Sequence, residues 1–129
     1  MPQVLPSILS ADFARLADEL ERCRVCGATA VHIDVMDAHF VPNLTLGPPV
    51  IASLRKATKL QLDVHLMMSD PMRYAEDFRK AGSDAITIHV DALRASVSCC
   101  SIGISLSARM MTPSPVSCAT RASGPDKSK

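Results

Sequence analysis

Two seven-residue segments, Ala30–Met36 and Gln61–Met67, alternate apolar and polar side chains, and a third, Ala85–Val90, continues the pattern. Val31, Ile33 and Val35 fall on one side of the first segment, and His32, Asp34 and Met36 on the other. Leu62, Val64 and Leu66 oppose Asp63, His65 and Met67, and Ile86, Ile88 and Val90 oppose Thr87, His89 and Asp91. Side chains alternate across a strand with period two, so each segment predicts a strand with one apolar and one polar face. Strands of an open doubly wound sheet are covered on both sides and read as continuous apolar runs. A half-polar strand between helices fits a (β/α) barrel better, with helices on the outer faces and polar groups converging inside.

The segments between these strands have helical character. Val4–Leu9 is a further short apolar run, with β character, followed by Ser10-Ala11-Asp12, which offers capping oxygens, and by Phe13, Leu16, Ala17 and Leu20 at helical spacing up to Gly27. A second helix is entered through Pro48 and Pro49, whose missing N–H groups are harmless there. Ser69-Asp70-Pro71 caps a third, ending near Gly82. The joints Gly27–Ile33 and Gly82–His89 resemble one helix-to-strand connection used twice. Strand, helix, strand, helix is the order of parallel α/β architecture.

The composition changes near Ala92. Residues 93–129 contain one acid, Asp126, against five bases, together with nine serines, three of the five cysteines and no aromatic residue. Little apolar area is available there to offset the entropy of ordering the chain, so a poorly ordered tail is expected after a body spanning 1–92. Ile102, Ile104 and Leu106 alternate with small residues, but about ten residues after Val90 are too few for a parallel crossover. A net charge of +1 over 129 residues argues against a nucleic-acid binder. No apolar run is long enough to cross a bilayer, and the opening residues lack the features of a signal peptide. The odd set of cysteines reads as reduced thiols, predicting a cytoplasmic protein. Cys23 and Cys26 form a C-x-x-C without a second pair, inside a helical pattern, and read as helix residues.

His32 and Asp34 share one strand face, and His65 lies on the equivalent face of the next strand. Two imidazoles and a carboxylate aimed into one cavity suit a divalent ion of the zinc, iron, manganese or cobalt type. Each histidine by itself reads first as an interior group hydrogen-bonded to its neighbours. Their joint placement at the carboxyl ends of adjacent strands, where barrel enzymes hold their sites, brings the chemical reading level with that one.

Three blocks carry a resemblance: Pro6-Ser7-Ile8-Leu9-Ser10-Ala11-Asp12-Phe13, His32-Ile33-Asp34-Val35-Met36-Asp37 running into His39-Phe40-Val41-Pro42-Asn43, and Asp63-Val64-His65-Leu66-Met67. In order and spacing they resemble the ribulose-phosphate 3-epimerases over residues 1 to about 92. The resemblance implies a (β/α)8 TIM barrel, represented here by about four βα units and the tail. It implies a metal-dependent isomerase of the pentose phosphate pathway that interconverts ribulose 5-phosphate and xylulose 5-phosphate. By position, His32, Asp34 and His65 become metal ligands, Asp34 also a general acid/base, and Ser7 and His65 substrate contacts. Met36 and Met67 match family methionines beside the site, a role that competes with plain interior packing.

The family's second aspartate and its glycine-rich phosphate loops have no counterpart after Asp91. A non-catalytic fragment paired with a full-length epimerase through an open strand edge, and a hexulose-phosphate epimerase, are the alternatives to an active ribulose-phosphate enzyme, and a homo-oligomer is the other association considered. Ala38 stands where the family commonly has Gly or Asn, and carries strain if the backbone there needs positive φ. His39 reads as a solvated loop histidine.

Overall fold

The computed structural model describes residues 4–95. Three parallel strands, β1 (Ala30–Met36), β2 (Gln61–Met67) and β3 (Ala85–Ile88), form a sheet in the order β1-β2-β3. Helices α1 (Leu16–Val25), α2 (Pro48–Ala57), α3 (Pro71–Ala81) and α4 (Val90–Ala95) alternate with them. The result is an α/β fold with a parallel sheet, consistent with the expected barrel family. Among the described residues the sheet is open rather than closed.

The alternation in sequence became the two faces of this sheet. Val31, Ile33, Val35, Leu62, Val64 and Leu66 are buried and share one core with Leu16 and Leu20 of α1, Ile51 and Leu54 of α2, and Phe78 of α3. His32, Asp34, Met36, Asp63, His65 and Met67 lie on the other face and are half-buried. The register aligns Asp34 with His65, His32 with Asp63 and Met36 with Met67. Polar groups from two strands are therefore brought side by side by the pairing itself.

Capping follows the sequence closely. Pro48 opens α2 and Pro71 opens α3, where the Asp70 side chain accepts from the Arg73 N–H. Gly27 and Gly82 both take left-handed backbone, with φ of 88° and 108°, and each turns a helix into the next strand. The two joints are indeed alike.

Three expectations need correction. Val4–Leu9 is no full strand among the described residues: its ladder contact there is a parallel bridge of Ser7 to His32, made by His32 N–H to Pro6 O and Ile8 N–H to His32 O. Pro6 has no N–H to extend the ladder, and the Ser7 hydroxyl accepts from Leu9 N–H, bending the chain away. Phe13 and Ala17 are exposed, because residues 13–15 form a 3-10 turn capped by Asp12, which rotates Phe13 off the stripe of Leu16, Leu20 and Cys23. The last strand ends at Ile88 instead of Val90, which begins α4.

The proposed tail beyond Ala95, including the alternating stretch 102–107, lies outside the described residues. Cys23 packs partly against the core and Cys26 is exposed, both as free thiols. No helix among the described residues is long and apolar enough to cross a membrane.

Candidate metal centre

Asp34 sits at the centre of the polar face. Its Oδ1 is 3.2 Å from His32 Nε2 and 3.3 Å from His65 Nδ1, and its Oδ2 accepts from the Ser7 hydroxyl at 2.9 Å. His32 and Asp34 are two residues apart on β1, so the pleat points them the same way, and His65 is the cross-strand partner of Asp34. Ser7 reaches the cluster because its bridge to His32 carries the N-terminal segment past the edge of β1. All four predicted site residues are thus brought together. Ser7, expected as a substrate contact, holds the carboxylate of Asp34.

The donor set fits a divalent cation. One ligand atom from each of His32, Asp34 and His65 lies within 4.8 Å of the other two. Donors about 2.1 Å from one ion stand roughly 3.0–3.4 Å apart, which matches the two measured nitrogen-to-oxygen separations. The protons point the same way. His32 Nδ1 is 2.9 Å from Asp63 Oδ2, and a carboxylate oxygen accepts, so Nδ1 donates there and Nε2, 3.2 Å from Asp34 Oδ1, is the nitrogen turned toward the cluster.

Two further layers hold the candidate ligands, and sequence reasoning did not single them out. Asp63 is fixed in turn by Thr87, whose hydroxyl donates to Oδ1 at 3.3 Å. A carboxylate behind a ligating imidazole sets its tautomer and raises its basicity. His65 Nε2 is 3.0 Å from His89 Nε2, the two rings stack with centroids 4.9 Å apart, and Phe40 packs on His89 at 5.1 Å. Burial, then the neighbouring His89 and His32, lower the pKa of His65 against the opposing pull of Asp34. A neutral imidazole is the form that binds a metal. The signal for Asp63, Thr87 and His89 was present in the sequence as the same two-residue alternation that exposed His32 and Asp34.

The loops at the carboxyl end of the sheet are tied by Asp37. Its Oδ1 accepts from His39 N–H (2.9 Å) and Phe40 N–H (2.8 Å), and its Oδ2 from Ser69 N–H (2.8 Å). Partial burial opposes its ionisation, but the Ser69, Phe40 and His39 amides outweigh that and hold its pKa far below the usual carboxylate range. Thr45 closes the same loop, donating to Asp34 O at 2.8 Å and accepting from Met36 N–H at 3.0 Å. Ala38 has φ of 60°, the left-handed conformation for which Gly or Asn is suited. His39 is exposed, its Nδ1 2.8 Å from Asp37 O.

Comparison with known proteins agrees with this geometry. Residues 3–102 match the ribulose-phosphate 3 epimerase family. Ribulose-phosphate 3-epimerase of Synechocystis is 53% identical over 88 residues, covering 68% of this chain and 38% of that protein. The Bacillus subtilis protein of the same name is 52% identical over 92 residues, covering 71% and 42%. The rice protein named as the cytoplasmic isoform is also 52% identical over 92 residues, covering 71% and 40%. The chain spans about two-fifths of the length of these relatives. With a family match over most of its length and the His-Asp-His cluster on its strands, the chain belongs to the ribulose-phosphate 3 epimerase family, a family of isomerases.

Proposed function

We propose that this chain carries the metal-binding and first proton-transfer half of a site that interconverts D-ribulose 5-phosphate and D-xylulose 5-phosphate. The observation behind this reading is the shared Asp34 carboxylate, faced by two imidazole nitrogens and backed by the Ser7 hydroxyl. His32, Asp34 and His65 hold one divalent ion of the zinc, iron, manganese or cobalt type. Such an ion, when bound, stabilises the negative charge that develops on a ketose when the proton beside its carbonyl is removed.

Epimerisation at C3 takes a proton from one face of the carbon and returns one to the other. Asp34 is the base on its own face, at the centre of the cluster. Its second oxygen is held by Ser7, so the carboxylate keeps one orientation while a proton comes and goes. Met36 and Met67, paired across the sheet beside the cluster, line the site and limit water. The opposite face needs a second acid, which the family resemblance assigns to a part of the barrel beyond Asp91. Residues 1–92 are the unit proposed to bear the metal-binding half of this site, with a full-length epimerase as the partner that would supply the opposite face. The free thiols Cys23 and Cys26 fit a reducing, cytoplasmic setting.

Isothermal titration of the purified chain with Zn²⁺ and Mn²⁺, beside an assay on ribulose 5-phosphate, tests this. One ion per chain, lost in His65→Ala and Asp34→Asn, with turnover far below the ordinary enzyme range of about 1–1000 per second, is expected. No metal binding by the wild-type chain, or full turnover by the Asp34→Asn variant, would refute it.

A further inference from the structure

We infer that His89 is a positioning residue that holds the His65 ring with Nδ1 turned toward Asp34, an inference that rests on the metal reading above. The two Nε2 atoms are 3.0 Å apart, a hydrogen-bond distance. A hydrogen bond between two neutral imidazole nitrogens needs one proton shared by both, so one ring donates and the other accepts. Turning the His65 ring over would replace Nε2 by a carbon at this contact and break the bond, while moving Nδ1 away from its place 3.3 Å from Asp34 Oδ1. His89 therefore selects between the two ring orientations, which a crowded face alone would tolerate nearly equally.

When Nδ1 gives its lone pair to an ion, the ring proton must reside on Nε2, and His89 Nε2 is there to accept it. The partner for His65 is thus an imidazole, whereas the partner for His32 is the carboxylate of Asp63. An imidazole adds no negative charge to a cluster that already contains Asp34 and Asp63. It can also pass from donor to acceptor by shifting its proton between its own nitrogens, so the bond survives both loading and loss of the metal.

His89 is itself held. It follows the last residue of β3, its carbonyl accepts from Ala92 N–H at the start of α4, and its ring contacts both His65 and Phe40, with centroids 4.9 and 5.1 Å away. Phe40 belongs to the loop anchored by Asp37, so the loop that carries the family motif after Asp34 also braces this histidine.

Two measurements on the full chain test the assignment. In the metal-free protein with ¹⁵N-labelled histidine, NMR should show a scalar coupling across the hydrogen bond between the Nε2 atoms of His65 and His89, with only one of the two bearing a proton. Zn²⁺ affinity, from competition with a chromogenic chelator, should fall about 10- to 100-fold in His89→Leu, the range seen when an outer partner of a ligating histidine is removed. It should return to within about threefold of wild type in His89→Gln, whose side-chain oxygen still accepts from Nε2–H. Far-UV circular dichroism confirms that each variant is folded. Absence of the coupling, unchanged affinity in His89→Leu, or a Gln variant no better than Leu would each overturn the inference. A wild-type chain that shows the coupling but binds no Zn²⁺ would overturn the metal reading and leave the ring-holding role of His89 standing.

Discussion

Replacing Asp37 by Asn removes one negative charge and nothing else of size, yet three backbone amides depend on that charge. Hydrogen bonds to an ionised group contribute about 1.5–3 kcal/mol each in favourable settings, and partial exposure here argues for the lower end. The amide of Asn can keep its oxygen toward His39 and Phe40, at roughly half the strength of the charged bonds. Its NH2 group then confronts the Ser69 N–H, donor against donor, and that bond is lost. The sum is a destabilisation of about 2–3 kcal/mol. Its pH dependence is a separate signature. The native carboxyl keeps its charge far below the range where an unfolded Asp takes a proton, near 3.9, so stability from Asp37 is full above that point and declines below it. Below that pH the unfolded chain binds a proton that the native one does not, and each further pH unit removes up to about 1.4 kcal/mol until the native group also titrates. Urea unfolding of both proteins between pH 7 and pH 3 reads this directly, because the Asn variant has no group at position 37 to titrate. The gap between them should be flat above about pH 5 and narrower by about 1 kcal/mol at pH 3. A gap below about 0.5 kcal/mol at pH 7, or one unchanged at pH 3, would refute the argument.

Three other substitutions probe the same framework. Ala38→Gly should stabilise the chain by about 1 kcal/mol in the same urea assay, because φ of 60° strains any residue with a Cβ. Gly82→Ala should destabilise it by about 2–4 kcal/mol, from a left-handed φ of 108° and a new Cβ placed 2.6 Å from Arg55 Cγ. Arg55 cannot yield freely, since its guanidinium donates to Asp84 at 2.9 Å, to Leu60 O at 3.0 Å and to Thr58 O. In an Arg55→Ala background, which removes the Cγ and Cδ contacts and leaves the Cβ of residue 55 at 3.0 Å, the penalty of Gly82→Ala should therefore fall toward the backbone part of about 1–2 kcal/mol. Asp63→Asn should weaken Zn²⁺ binding at least about tenfold with little change in unfolding free energy, since it disturbs the tautomer of His32 rather than the core.

The sheet and its polar face were legible because period-two alternation is a geometric consequence of the strand itself. Ala30–Met36 and Gln61–Met67 needed nothing beyond local pattern, and their pairing then aligned Asp34 with His65. Where tertiary demands override local ones, the sequence was less informative. Val4–Leu9 has strand composition, but Pro6 cannot donate and the Ser7 hydroxyl is committed to Leu9 N–H and Asp34, and among the described residues the segment makes a bridge rather than a full ladder. Phe13 has helical spacing, but the cap at Asp12 winds a 3-10 turn first and carries it outward.

The site shows the same division between what a chain segment dictates and what pairing adds. His32, Asp34 and His65 could be grouped from sequence because a metal demands a recognisable set of donors. Asp63, Thr87, His89 and Asp37 carry no such signature, since a second carboxylate, a hydroxyl or an imidazole next to a strand is ordinary by itself. Their roles arise from two facts of geometry. Each ring of the cluster has a second nitrogen that must be satisfied on a half-buried face, and the strand neighbouring each ring is where a partner can stand. Asp63 is the cross-strand neighbour of His32 and bonds it, whereas Thr87, the neighbour of His65, bonds Asp63 and leaves His65 to His89, two positions further on. In a parallel sheet, then, a histidine on one strand already restricts what the adjacent strand can carry at or next to its own level. The supporting residues of this family's site are to be sought by register, one strand over, before they are sought by type.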